Sequence, residues 1–109
     1  NQMKVSKQAD VSEMVETVKK LSAEKKNIND YLDIYTMWFR DVLLFKATAE
    51  VDSLIFREEI SAIRARAAES SYEGLEKILS AIRHAGERLR ANVNFDLTLE
   101  LLFLTIKEN

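Results

Sequence analysis

A lone histidine, a carboxylate pair, a set of arginines and two glycines are the residues through which this chain could do chemistry. His84 is the single histidine and follows Arg83, off the apolar stripe of its segment. A metal ligand needs partners at coordination spacing. The chain has no cysteine to supply one, and His84 reads as a solvated surface residue. Glu58-Glu59 is a pair of the kind used in acid–base catalysis. Adjacent helical positions diverge by about 100° and do not converge on one substrate, so the pair reads as favourable charge at a helix start. Gly74 and Gly86 are too far apart for a phosphate-gripping loop.

Two larger constellations remain. Arg57, Arg64, Arg66, Arg83, Arg88 and Arg90 suggest a phosphate-binding face, but they alternate with Glu58, Glu59, Glu69, Glu73, Glu76 and Glu87. That balance reads as a salt-bridged surface. Tyr31, Tyr35, Trp38, Phe39 and Phe45 lie at helical spacing. A base-stacking platform would want basic charge around them; core packing is the simpler reading. The expectation is a domain with no catalytic residue, no cofactor-binding residue, no metal ligand and no small-molecule substrate.

The elements that carry these residues follow from composition and caps. A length of 109 residues with 47% apolar and 31% charged side chains fits one soluble globular domain. A net charge of −2 provides no strong field for nucleic acid or anionic lipid. The lack of cysteine excludes a disulfide framework and fits a cytoplasmic setting. No run approaches the ~18 apolar residues of a membrane span, and the first residues lack the apolar core of a signal peptide. The chain opens on Asn rather than Met, which reads as a fragment of a longer protein.

There is no proline, so little opposes helix, and breaks must come from caps. Residues 1–9 are expected to be disordered or to extend the first helix, and residues 10–109 to form the domain. The first helix starts at Asp10, with Val11, Met14, Val15, Val18 and Leu21 on one face, and runs to about Lys26. Asn27 is the predicted N-cap of a second helix ending near Ala49. Residues 50–56 read as a hydrophobic linker whose Leu54-Ile55-Phe56 run has no strand to pair with. A third helix covers about Arg57 to Glu69, with Ile60, Ile63 and Ala67 inward. Ser70-Ser71-Tyr72-Glu73 matches a capping box starting at Ser70 and opens a fourth helix, with Gly86 on its apolar stripe. Asn92 and Asn94 are assigned turn and capping roles before a fifth helix. The expected architecture is all-α, a single compact bundle of about five helices. Its predicted core includes Trp38, Phe39, Leu79, Ile82, Leu99, Leu102 and Phe103.

The fifth helix is apolar almost all round. Phe95, Leu99, Leu102, Phe103 and Ile106 share one side of a helical wheel, and Leu97, Leu101 and Leu104 lie nearly opposite. Such a helix wants burial on more than one face. Enclosure by its own bundle and contact with another subunit weigh equally on this pattern, and Leu97, Leu101 and Leu104 are the interface candidates.

The run from Leu89 through Asn92-Val93-Asn94-Phe95 to Leu97-Thr98-Leu99-Glu100-Leu101-Leu102 resembles the closing motif of bacterial clamp-loader collar domains. Trp38-Phe39-Arg40-Asp41-Val42-Leu43-Leu44 and Asp52-Ser53-Leu54-Ile55-Phe56 resemble segments of the delta-prime subunit family of the DNA polymerase III clamp loader. Phe95 departs from the proline many relatives carry, though both suit the first helical position. The resemblance covers about residues 27–107. It implies an all-α collar that packs against other clamp-loader subunits in a ring. It implies no direct nucleic-acid contact and no membrane, with nucleotide chemistry in N-terminal modules of the full subunit. The alternatives are the collar of the related gamma/tau subunit and an unrelated helical adaptor that binds a partner helix.

Overall fold

The structure, a computed structural model, describes Glu16, Lys19, Lys20 and residues 28–109. The segment expected as the first helix and the Asn27 cap lie outside the described residues, except that Glu16, Lys19 and Lys20 are helical and exposed. Among the described residues there are four α-helices, one 3₁₀ turn and no strand. The helices are α1 (Ile28–Thr48), α2 (Ile60–Glu69), α3 (Tyr72–Arg90) and α4 (Phe95–Glu108). The 3₁₀ turn, Arg57–Glu59, leads into α2.

The long helix α1 is central because two of its sides are apolar. It packs against α2 and against α3, and α3 in turn packs against α4. Val42 of α1, Ile63 of α2, Leu75 and Ile78 of α3 and Leu99 of α4 lose all contact with solvent. At about 1.5–3 kcal/mol for each large aliphatic side chain buried, this shared core decides the packing. Phe39, Ile82 and Leu102 are also buried. Trp38, Leu79 and Phe103, predicted for the core, are half-buried at its margin. Trp38 stands edge-on to Phe39 with centroids 5.1 Å apart, and Phe103 stands edge-on to Tyr35 at 5.8 Å.

Each joint has its own chemistry. Helix α1 ends with Ala49 at φ 58°, whose amide bonds the Phe45 carbonyl at 2.8 Å. The linker then folds back: Leu54 is buried and Ile55 is exposed. The Phe56 amide donates to Asp41 Oδ2 at 2.7 Å.

The α2–α3 joint corrects the reading of Ser70 as an N-cap. Ser71 caps α3, accepting from the Gly74 amide at 2.8 Å. Ser70 instead closes α2, where its buried hydroxyl accepts from Arg66 Nε at 3.0 Å. A guanidinium one helical turn earlier captures Ser70 and shifts the cap by one residue. Gly74 sits where a side chain would crowd the Ser71 hydroxyl, 3.1 Å from a built Cβ.

Candidate subunit interface

The α3–α4 joint sets how the terminal helix leaves the bundle. Asn92 adopts φ 59°, a left-handed conformation asparagine tolerates better than most residues. The Val93 amide reaches back to the Arg88 carbonyl at 3.0 Å and the Asn92 amide to that of Leu89 at 3.2 Å. This pair of bonds is the Schellman closure of a helix. Two residues on, Asn94 Oδ1 accepts from the Leu97 amide at 2.9 Å and opens α4. The Asn-Val-Asn turn therefore ends one helix and starts the next within three residues.

Once started, α4 has two unlike faces. Thr98, Leu99 and Leu102 are buried against the bundle. Leu97 and Leu101 are each 51% exposed and Leu104 40%. They repeat at i, i+4 and i+7, so they form one stripe along the helix. Exposed Glu100 and half-buried Lys107 lie along one edge of it, and exposed Glu108 stands just beyond its end. Val93, at the head of the same helix, is also exposed. The far end of α4 is held down by Arg66 of α2, which bonds the Ile106 carbonyl and lies over the Phe39 ring at 5.4 Å. The stripe is thus presented by a helix fixed at both ends.

A second surface lies between α1 and α3. It is an open groove of about 740 Å³. Leu32, Leu43, Leu79 and Ile82 supply its apolar lining, and Arg40, Arg83 and Arg90 its cationic one, with Asp33 the single carboxylate. At Asn29 and Arg90 it runs on into a cleft of about 370 Å³ beside the Asn-Val-Asn turn. Gly86 lies on its floor. A Cβ there would sit 3.4 Å from the Arg90 guanidinium and 3.7 Å from Leu32, so the glycine leaves room for Arg90 to lie across the floor.

No group of three or more histidine or carboxylate side chains fit to hold a metal occurs among the described residues. His84 is exposed, as are Glu58 and Glu59. No described helix is long and apolar enough to cross a membrane. Asp41 escaped the sequence reading: it is buried, yet it sits in an aromatic stretch that reads as simple core. The groove also escaped it, since its arginines come from positions 40, 83 and 90 and gather only on folding. Their local signals are the i, i+4, i+7, i+11 repeat of Asn29, Asp33, Thr36 and Arg40 along one side of α1 and the i, i+3, i+7 spacing of Arg83, Gly86 and Arg90 along one side of α3.

Residues 2–108 match the family described as DNA polymerase III, delta subunit, C terminal, and the chain belongs to that family. It is a clamp-loader C-terminal domain, an assembly unit rather than a catalytic one. No curated protein and no solved structure matches it.

Proposed function

We propose that this member of the family, a C-terminal domain of the DNA polymerase III delta type, is the collar domain of a delta-prime subunit. It joins other clamp-loader subunits in a ring that supports sliding-clamp loading in bacterial DNA replication. One observation carries the reading: three leucines, Leu97, Leu101 and Leu104, stand exposed on the outer face of a helix whose inner face is core. A contiguous apolar stripe on a fixed helix marks a protein contact. The finer assignment rests on the two segments that resemble delta-prime. The Phe56–Asp41 hydrogen bond ties these segments to each other, so they act as one structural feature. The domain takes no cofactor, contacts no nucleic acid directly and works in the cytoplasm, and its boundary is near residue 10.

Leu101→Asp and Leu102→Asp test this as a pair. Leu102 is 2% exposed, and a carboxylate there is buried without a partner, so the domain unfolds. Leu101→Asp changes stability by no more than about 0.5 kcal/mol, as surface substitutions do, but abolishes co-purification of the full-length subunit with another loader subunit. If Leu101→Asp leaves every loader contact intact, the stripe is not the interface.

A further inference from the structure

The groove between α1 and α3 has no role in that reading, and its charge is opposite in sign to that of the whole chain. We infer that it is a docking site for a flexible acidic peptide segment, with carboxylates alternating with aliphatic side chains, of a protein that visits the loader rather than builds its ring. The inference does not rest on the collar reading, and the groove shares no residue with the leucine stripe.

The first observation is unpaired charge. Arg40, Arg83 and Arg90 line the groove against the single carboxylate of Asp33, and all four are exposed. The alternation of signs along α3 reads as ion pairing, but the arginines of the groove do not pair. Glu87 stands four residues after Arg83 and three before Arg90, within reach of both, and pairs with neither. Among the described residues the ion pair is that of Lys77 with Glu73, at 3.7 Å. Arg83 reaches the Ser80 hydroxyl at 3.5 Å, and Arg90 lies back over Gly86. Their guanidiniums therefore sit near the levels of Ser80 and Gly86, about 9 Å apart along α3. One carboxylate cannot bridge that distance, whereas successive acids of a chain can each take a guanidinium by paired hydrogen bonds. Arginine clusters are a recurring reader of acidic motifs.

The second observation is the shape and the lining. The α1 wall, from Asn29 to Leu43, runs about 21 Å, room for about six residues of extended chain at about 3.3 Å each. Such a chain turns alternate side chains to opposite sides, so aliphatic residues can meet the leucines while acids meet the guanidiniums. Its backbone needs partners. Thr36 Oγ1 donates to the Leu32 carbonyl at 2.9 Å and keeps lone pairs for a peptide amide, and the Asn29 amide can both donate and accept. Leu32 and Ile82 are buried and Leu43 and Leu79 half-buried, so little apolar surface is on offer. That suits a transient contact, since permanent subunit interfaces are larger and more apolar. The third observation concerns the strongest competitor. Three arginines also suit single-stranded nucleic acid, whose bases stack on aromatic rings. The groove has none among its lining residues.

The test is fluorescence polarisation of the full-length protein with a fluorescein-labelled eight-residue peptide of alternating glutamate and leucine. Saturable binding is expected, at least tenfold weaker for Arg40→Gln/Arg83→Gln and at least tenfold weaker when serine replaces leucine in the peptide. No saturable binding, or binding that the arginine variant leaves unchanged, overturns the inference. A serine peptide bound as tightly as the leucine one also overturns it, because the groove would then be reading charge alone. A single-stranded oligonucleotide that binds more tightly than the peptide and is lost in the arginine variant overturns the peptide occupant. Circular dichroism melting checks folding, and the two single variants, each expected to weaken binding about threefold, replace the double variant should it melt early. Pairwise co-purification separates the two readings. The arginine variant is expected to keep every loader subunit. If it loses one, the groove is a ring contact and the inference fails, whereas the collar reading is decided by Leu101→Asp.

Discussion

Asp41→Ala is expected to destabilise the domain by about 2–3 kcal/mol. The figure follows from what the carboxylate does. Asp41 is 3% exposed, and its Oδ2 accepts the Phe56 amide at 2.7 Å, a length typical of a charge-assisted hydrogen bond. Such bonds contribute about 1.5–3 kcal/mol, and an amide left without a partner inside the protein costs about 1–3 kcal/mol. The two ranges describe one event and are not summed. Against a total stability of about 5–15 kcal/mol, the loss is large enough to lower the melting temperature by about 10–20 °C. Asp41→Asn keeps an acceptor at the same place and is expected to lose only about 1 kcal/mol, the difference between a charged and a neutral bond.

Urea unfolding followed by far-UV circular dichroism measures both variants, and the slope with denaturant shows whether the unfolded state has changed. Hydrogen exchange at the Phe56 amide gives the local readout: slow in the wild type, much faster in Asp41→Ala. A loss below about 0.5 kcal/mol, with exchange at Phe56 unaltered, would refute the argument. The linker would then be held chiefly by Leu54, which is buried.

Three further outcomes follow from the joints and the aromatic edge. Asn94→Ala removes the acceptor for the Leu97 amide and is expected to cost about 1 kcal/mol; an unmoved urea midpoint would contradict it. Ala49→Gly relieves a left-handed alanine at φ 58°. The strain of about 1–2 kcal/mol exceeds the about 0.4–1 kcal/mol that glycine adds to the freedom of the unfolded chain, so a net gain of about 0.5–1 kcal/mol is expected in the same assay. Burial, and then the charge of Tyr31, raise the Tyr35 phenol above its ordinary 10.0. Its contribution to stability is complete below that ordinary value and is lost as pH climbs through the raised one. Tyr35→Phe should therefore flatten the fall of melting temperature in that alkaline window, and the tyrosinate absorbance that appears latest in the wild-type titration should be missing from the variant.

What was legible in the sequence was whatever a single helix encodes by its own period. The wheel places Leu97, Leu101 and Leu104 on one arc and Leu99 and Leu102 on another, and the structure leaves the first three exposed and the last two buried. Ser70 shows the limit of local templates. Ser-x-x-Glu fits a capping box at Ser70, but Arg66 takes that hydroxyl, and the neighbouring Ser71 becomes the cap. Asp41 lay beyond reach because its burial depends on the linker returning over α1. The segment Trp38-Phe39-Arg40-Asp41 shows why such a run resists reading as a unit. At about 100° per residue, its side chains take four directions. Trp38 is half-buried beside Phe39, Phe39 is in the core, Arg40 points into the groove and Asp41 turns to the linker.

The arginines show how folding turns a balanced sequence into an unbalanced surface. Along the chain the arginines of α2 and α3 alternate with glutamates, and the net charge of the whole is −2. In the fold, Arg83 and Arg90 stand three and four residues from Gly86 on the same side of α3, and α1 brings Arg40 to face them. Meanwhile α3 carries α4 against another of its faces. Its 19 residues span about 28 Å and support both surfaces. The groove and the leucine stripe are therefore fixed relative to one another by a single rigid element and by Arg66, which ties α2 to the end of α4. A loose α4 would let the stripe turn freely relative to the rest of the bundle. Because the Asn-Val-Asn turn spends one asparagine on ending α3 and the other on starting α4, it sets the angle between the two faces.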